Sequence, residues 1–376
     1  MESVFWIGVV GCLYSYLVYP AVLMLFPKSR DGRSGTASPI PVMSVIIAGH
    51  NEEARIVPKL ENTLALSYPR DRLEIIVASD ASSDGMDGIV LGYRERGVRF
   101  VRSEVRKGKE HAQLLAIAHA HGEILVFTDT GTEIPGEALM RLAARFSDPR
   151  IGAVSSEDRF VSRDGSLVGE GAYVKYEMWL RRLESQRAGL VGLSGSFFAA
   201  RRTVCETWDA ETPSDFNAAI GCARKGLVAV TEPSVVGYYA DIKDARKEYR
   251  RKLRTVLRGI VGLARHRETL NPFTYGLFSV QIWSHKVMRW LVPWFMLVTL
   301  ASSLVLWRSG VLFRFAAVAQ VIFYTVVAAT FMAPWLRKSV FLRIGYYFVQ
   351  VNIAIAHASL LFLAGRRMTM WEPSRR

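Results

Sequence analysis

The distribution of charge along the chain constrains its fold before any motif is considered. Val4–Phe26 contains no Asp, Glu, Lys or Arg, and it is long enough for one helical crossing of a bilayer, which takes about 20 apolar residues. Lys28, Arg30 and Arg33 follow at once, the basic flank of a span that exits to the cytoplasm. A cleaved leader would carry its basic residues first and end on small ones. An uncleaved anchor is therefore expected over residues 1–30. Beyond residue 290, Leu291–Trp307, Val311–Trp335 and Val340–Ala364 each approach the length of a span, so residues 291–376 are expected to hold three further membrane segments and a tail. Arg337, Lys338 and Arg343 in one loop, and Arg366, Arg367, Arg375 and Arg376 in the tail, both read as cytoplasmic. Three complete spans cannot satisfy both, which leaves a re-entrant or interfacial segment, or a tail that departs from the bias.

Between the apolar ends lies a charged, glycine-punctuated stretch from Pro41 to about Asn271, large enough for one core. The net charge is +14 and the pI 9.8. Ten Lys or Arg fall between Lys243 and Arg267, beside the apolar segments, where such a run meets anionic lipid headgroups or diphosphates. Residues 241–290 thus read as basic amphipathic interfacial helices. No helix-turn-helix, zinc-finger or base-stacking signature accompanies the charge, so a nucleic-acid partner is not expected. Cys12, Cys205 and Cys222 have no metal or redox spacing, and the apolar segments carry no central acid to mark an ion path.

Within residues 41–240, Val42–Ala48 is a β-branched run ending at Gly49, and Asn51–Leu64 then spaces Ile56, Leu60 and Leu64 as on one helix face. Leu73–Ala78, Val98–Arg102 and Ile124–Thr128 repeat the strand pattern with helical stretches between. This alternation predicts an α/β fold, a mostly parallel sheet with helices on both faces, whose ligands bind beyond the C-terminal strand ends. The polar clusters at those ends are Gly49-His50-Asn51-Glu52-Glu53, Ser79-Asp80-Ala81-Ser82-Ser83-Asp84-Gly85 and Thr128-Asp129-Thr130-Gly131-Thr132-Glu133. Each alone suits a turn or an N-cap; three on one edge suit a ligand. Arg106-Lys107-Gly108-Lys109 leads into another helix, a favourable start for anion binding. Hard oxygen donors with lysines nearby fit a nucleotide diphosphate and Mg²⁺ or Mn²⁺.

The order of these clusters resembles the GT-A glycosyltransferases of family 2, whose membrane members include hyaluronan, chitin-oligosaccharide and cellulose synthases, over about Met43–Arg258. The resemblance implies a GT-A-type nucleotide-sugar-binding domain in which Asn51, Glu52, Asp80, Asp84 and Lys109 recognise the donor. Asp129 takes the first place of the Asp-x-Asp metal motif; Gly131 stands where the second acid would be, with Glu133 or water as substitutes. Leu193-Ser194-Gly195-Ser196 and Tyr173, Tyr176 and Trp179 fall in the acceptor-side region, with Ser194, Gly195 and Tyr176 as contacts. The i, i+3 spacing of the aromatics equally suits a packing face. Asp215 stands at the place of the general base, and it also suits an N-cap. Arg250-Arg251-Lys252-Leu253-Arg254-Thr255 stands where processive members carry Gln-x-x-Arg-Trp, so Arg251 and Arg254 are implied at the diphosphate, Arg254 as a catalytic residue. Thr255 replaces the Trp.

The implied protein is a membrane-bound inverting transferase, with a UDP-sugar as the expected donor, a growing polysaccharide as acceptor, and coupling to export as a further expectation. It would lie in a bacterial inner membrane with its catalytic domain in the cytoplasm, among membrane lipids and other polysaccharide-assembly proteins. The alternatives are a single-transfer enzyme with a lipid-linked acceptor, to which the loss of the Trp points, and a catalytically silent nucleotide-sugar-binding subunit, to which Gly131 points.

Overall fold

The computed structural model describes residues 1–28, 39–161, 172–240 and 245–368. Arg30, Arg33, Lys243, Arg375 and Arg376 lie outside them, as do the side chains of Tyr173, Arg246 and Lys247. In chain order the main elements are α1 (Glu2–Leu25), β1 (Met43–Gly49), α2 (Glu53–Leu64), β2 (Leu73–Ser79), α3 (Met86–Leu91), β3 (Val98–Arg102), α4 (Lys109–His119), β4 (Ile124–Asp129), α5 (Ala138–Phe146), β5 (Ile151–Val161), α6 (Ala172–Arg187), β6 (Phe197–Arg201), α7 (Ser214–Arg224), β7 (Val228–Ala240), α8 (Ala245–Arg265), α9 (Leu277–Val305), α10 (Val311–Met332) and α11 (Val340–Leu363).

The strands form one sheet in the order β3-β2-β1-β4-β6-β5-β7. β1 to β4 run parallel, β6 runs antiparallel to β4 and β5, and β5 and β7 are again parallel. The expected parallel sheet is thus present, and its order reverses between β1 and β4, where such sheets open a crevice at the carboxyl ends. The reason for the unbroken apolar run of β1 is that all seven of its residues are buried. Val45 and Ile47 enter one core with Ile56 and Leu60 of α2, while Ile46 and Ala48 enter the other with Ala112 and Ala116 of α4. Phe127 of β4 anchors the second core, stacked on Phe198 at 4.8 Å and on Trp208 at 5.0 Å between ring centres.

Among the described residues four helices, α1, α9, α10 and α11, are long and apolar enough to cross a membrane. α1 and α9 pack closely: a Cβ on Gly11 would fall 2.5 Å from the Phe295 ring, the small-residue contact that lets apolar helices approach. α9 begins well before Leu291, because its first turns carry polar residues turned to the soluble unit. There Arg289 donates to Glu177 of α6 (2.6 Å), His285 Nδ1 lies 2.6 Å from Glu184 of α6, and the Tyr19 hydroxyl of α1 donates to the same carboxylate (2.6 Å). The helix is widened into a π turn over Ile282–Val287. On α8, Leu253, Val256, Leu257 and Val261 pack on Ile355 and Ala358 of α11, while Arg258 pairs with Glu110 of α4 at 2.7 Å.

Phe127→Ala empties the space between two stacked rings. It is expected to lower stability by about 3–5 kcal/mol, read as a fall in the unfolding midpoint of the detergent-solubilised protein; an unchanged midpoint would mean that Phe198 and Trp208 close over the gap.

Candidate functional site

The first two strand-end clusters are laced together. Asn51, held at a positive φ of 54°, accepts the Ser83 N–H (2.8 Å) and donates to the Ser83 hydroxyl (3.2 Å). Asp84 accepts the N–H groups of Glu53 (3.0 Å) and Met86 (3.2 Å), and Glu53 in return accepts that of Gly85 (3.0 Å). Asp80 is buried, and its two oxygens accept the N–H groups of Lys107 and Gly108, both at 2.8 Å. It therefore fixes the loop from which α4 starts with Lys109. Glu52 is buried too, paired with Arg55 at 3.1 Å. Burial raises its carboxyl above the ordinary range, against the pull of Arg55 and a hydrogen bond with Thr130.

At the centre the Lys109 ammonium contacts the Asp129 carboxylate and donates to the Gly195 carbonyl at 2.8 Å. Asp129 also donates its N–H to the Ser196 carbonyl (3.0 Å). Sequence reasoning missed Lys59, which lies beneath this point with 2% exposure. Its ammonium donates to the Thr128 hydroxyl (2.8 Å) and the Thr132 carbonyl (2.6 Å). Burial lowers its pKa to about 7, opposed by the charges of Asp129 and Glu133. One turn on, Asn62 brackets Ile134, bonding to its N–H and its C=O at 2.9 Å each. α2 thereby pins both sides of the Asp129–Glu133 turn. A signal was available: Lys59 shares the buried face of Ile56, Leu60 and Thr63, a slot that an unpartnered lysine does not occupy.

Gly131 offers no side-chain ligand, and Glu133 is exposed with its backbone bridged to Tyr238. Among the described residues no three His, Cys, Asp or Glu side chains converge as a metal cage. The single partly exposed carboxylate of Asp129 nevertheless fits a Mg²⁺- or Mn²⁺-type ion that takes most of its oxygens from substrate phosphates and water, since such ions are commonly held by one or two carboxylates.

The segment Gly192–Ser196, expected on the acceptor side, leads into β6. The Leu193 N–H donates to the backbone carbonyl of Asp215 in the first turn of α7 (3.4 Å), and the Ser194 N–H donates to the Ser155 hydroxyl (2.7 Å). The Ser194 hydroxyl is taken by Asp158 of β5, which also accepts from Ser196 (3.3 Å); nothing in the sequence pattern singled out Asp158. Gly195 is exposed, with no atom within 4 Å of the place a Cβ would take, so a ligand can approach the backbone there. One short segment thus joins the Lys109–Asp129 pair to Asp215. Tyr176 is not brought to it: its hydroxyl donates to the Tyr16 carbonyl of α1 (2.8 Å), and its ring packs with Tyr16 and Trp179. Arg251 and Arg254 lie on α8 ahead of Arg258, Arg251 exposed and Arg254 half-buried.

A family model described as glycosyl transferase family 2 matches residues 44–208. The poly-beta-1,6-N-acetyl-D-glucosamine synthase of Staphylococcus epidermidis is 26% identical over 219 residues, 56% of this chain and 50% of that protein. The beta-monoglucosyldiacylglycerol synthase of Trichormus variabilis is 24% identical over 222 residues, 57% and 47% of the two. The chain spans about half the length of these curated relatives. A mannosyltransferase from Pyrobaculum calidifontis, solved in complex with GDP-Man and Mn²⁺, superposes on 97% of this chain and 99% of its own with a TM-score of 0.73 at 22% identity; the two share a fold.

Lys59→Met leaves the Thr128 hydroxyl and the Thr132 carbonyl without their donor and is expected to cost about 1–3 kcal/mol of stability. The sign of its pH dependence is fixed as well. With a folded pKa of about 7 against the ordinary 10.5, the unfolded chain binds more protons between those values, so this residue makes wild-type stability rise with pH across that window. The Met variant lacks that component, and equal slopes of unfolding midpoint against pH in the two proteins would show that Lys59 stays charged in the folded state.

Proposed function

We propose, from the match of residues 44–208 to the glycosyl transferase family 2 model, that the protein is a membrane-bound inverting glycosyltransferase that moves a sugar from a nucleotide diphosphate to a saccharide or lipid-linked acceptor at the membrane surface. The observation that carries this reading is the Gly192–Ser196 segment. Its Gly195 carbonyl accepts from Lys109, its Ser196 carbonyl from Asp129, and its Leu193 N–H donates to Asp215. A donor diphosphate at the lysine and an acceptor hydroxyl at the aspartate therefore share one rigid reference.

The laced loops of Asn51, Glu52, Asp80 and Asp84 shape the nucleoside end of the donor site. Lys109 and Arg254 stabilise the negative charge that grows on the leaving diphosphate. A Mg²⁺ or Mn²⁺ ion, held by Asp129, adds positive charge at the same diphosphate when bound. Asp215 accepts the proton of the attacking hydroxyl while the new C–O bond forms at the anomeric carbon and the bond to the diphosphate breaks on the opposite face. The name of the staphylococcal relative supports a polysaccharide as product, and export of the chain belongs to the same reading. A single transfer is favoured by one feature: Thr255, at the place of the family's acceptor-site Trp, is exposed and bonds back to the Arg251 carbonyl (2.9 Å).

The test uses the full chain in lipid nanodiscs with UDP-N-acetylglucosamine, UDP-glucose and GDP-mannose, saccharide or diacylglycerol acceptors, and Mg²⁺ or Mn²⁺, following nucleotide release and product length. Asp215→Asn is expected to lower kcat at least about 100-fold with donor affinity retained. Chelation with EDTA is expected to suppress release in the wild type, and restored metal to recover it. Turnover that survives the substitution removes Asp215 from the mechanism, and donor binding without turnover in the wild type returns the silent-subunit reading.

A further inference from the structure

Three basic residues, His285, Lys286 and Arg289, stand in the first turns of α9. His285 and Arg289 are committed to Glu184 and Glu177. Lys286 lies between them in the π turn, half-buried. Its ammonium stands 4.7 Å from the centre of the Phe216 ring and 3.1 Å from the place a Cβ on Gly192 would take; the Asp215 carboxylate lies 3.9 Å from that same place. Asp215, Glu184, Arg181 and Arg289 are the charged groups around it. Glu184 is taken by Tyr19 and His285, Arg181 donates to the Ser155 hydroxyl (2.6 Å), and Arg289 holds Glu177. Among the described residues no acceptor is hydrogen-bonded to the Lys286 ammonium. An ammonium carries three donors, and those of Lys286 are left for water or a ligand. π turns of this kind occur frequently at functional sites.

We propose that Lys286 is an acceptor-binding residue, which together with Asp215 holds neighbouring hydroxyls of a neutral sugar at the junction of α7 and α9. The ammonium donates to a hydroxyl oxygen of the acceptor, and the Asp215 carboxylate, close by, accepts from the hydroxyl that attacks. A carboxylate beside an ammonium suits a group that both donates and accepts; a phosphate placed there would meet the negative charge of Asp215. Gly192 makes the arrangement possible, because any side chain at that position would push on the ammonium. The inference rests on Asp215 facing the acceptor, and it extends that reading by making the membrane helix itself part of the sugar site.

The experiment measures initial rates of nucleotide release by the full chain in nanodiscs, with each of the three donors, while two probes are titrated separately: an N-acetylglucosamine trisaccharide and vesicles containing phosphatidic acid. The trisaccharide is expected to stimulate release saturably. Lys286→Met is expected to raise its KM about tenfold or more, the scale of a lost hydrogen bond to a charged group, with the donor KM within about twofold of wild type. Lys286→Arg is expected to recover part of the loss, and Gly192→Ala to move the acceptor KM in the same direction as Lys286→Met. An unchanged acceptor KM in Lys286→Met, or stimulation by phosphatidic acid and not by the trisaccharide, or by neither, overturns the assignment. Asp215→Asn separates the two readings: if it keeps kcat while Lys286→Met raises the acceptor KM, the base falls and the lysine stands. If it abolishes kcat while Lys286→Met is neutral, the lysine falls and the base stands. Should Lys286→Met not fold, as judged by donor binding, Lys286→Arg and Gly192→Ala decide by the same acceptor KM.

Discussion

Two carboxylates of α6 must be neutralised at the boundary between the α/β unit and the apolar helices, and the placement of the proposed acceptor side depends on how this is done. Glu184 is 1% exposed, and a buried charge deprived of its partner typically costs about 3–5 kcal/mol. Its partners Tyr19 and His285, and Arg289 on Glu177, all come from α1 and α9. Glu177 is held down to about 2 although burial pushes the other way, the guanidinium of Arg289 being the largest of the opposing charges. Neither helix can rotate or slide against α6 without unpairing one of these groups. The chain leaves α6 at Arg187 and within a few residues forms the Gly192–Ser196 segment. The apolar helices α1 and α9 and the Gly192–Ser196 segment are therefore referred to one element.

The proposed donor side has its own tie to the apolar helices. α8 lies with its apolar face on α11 and sends Arg258 to Glu110, a pair in which both side chains are nearly buried. Glu110 directly follows Lys109, whose ammonium reaches Asp129. Basic residues beside a membrane can be solvated or lipid-facing, but the buried Arg258 locks α8 to the start of α4. The soluble unit is thus clamped at two points, α6 on α1 and α9, and α4 on α8. The proposed donor and acceptor halves of the sheet edge are each fixed relative to the apolar helices.

The central strands were legible in the sequence because parallel strands covered on both faces must be apolar throughout, and β1 to β4 are found where that pattern put them. The strand-end clusters were legible for the same reason: at the edge of such a sheet polar residues stand out. The antiparallel β6 and its neighbours were not, since Phe197–Arg201 is a short run whose partners lie on both sides of it in space and far off in sequence. Asp158 was hidden similarly, as an acid inside the long strand β5. The start of α9 was misplaced because window hydropathy counts Gln281, His285, Lys286 and Arg289 against a span, although each faces protein.

Lys59 and Lys286 show what the sequence does hold about the site and where it stops. Both are lysines in slots whose neighbours are apolar, Lys59 among Ile56 and Leu60 and Lys286 between Ile282 and Trp290. A chain that folds must supply something for such a charge, because burying an ammonium with no partner costs more than most single contacts return. The slot therefore announces a partner. It does not say which, since Thr128 and Thr132 are about seventy residues from Lys59, and Asp215 about as far from Lys286. For Lys59 the fold answers with a hydroxyl and a carbonyl and uses the charge to hold the Asp129 turn. For Lys286 it answers with an aromatic face and a carboxylate nearby and leaves the donors toward the recess of Gly192. That difference separates a lysine that builds the site from one that is placed to meet its substrate.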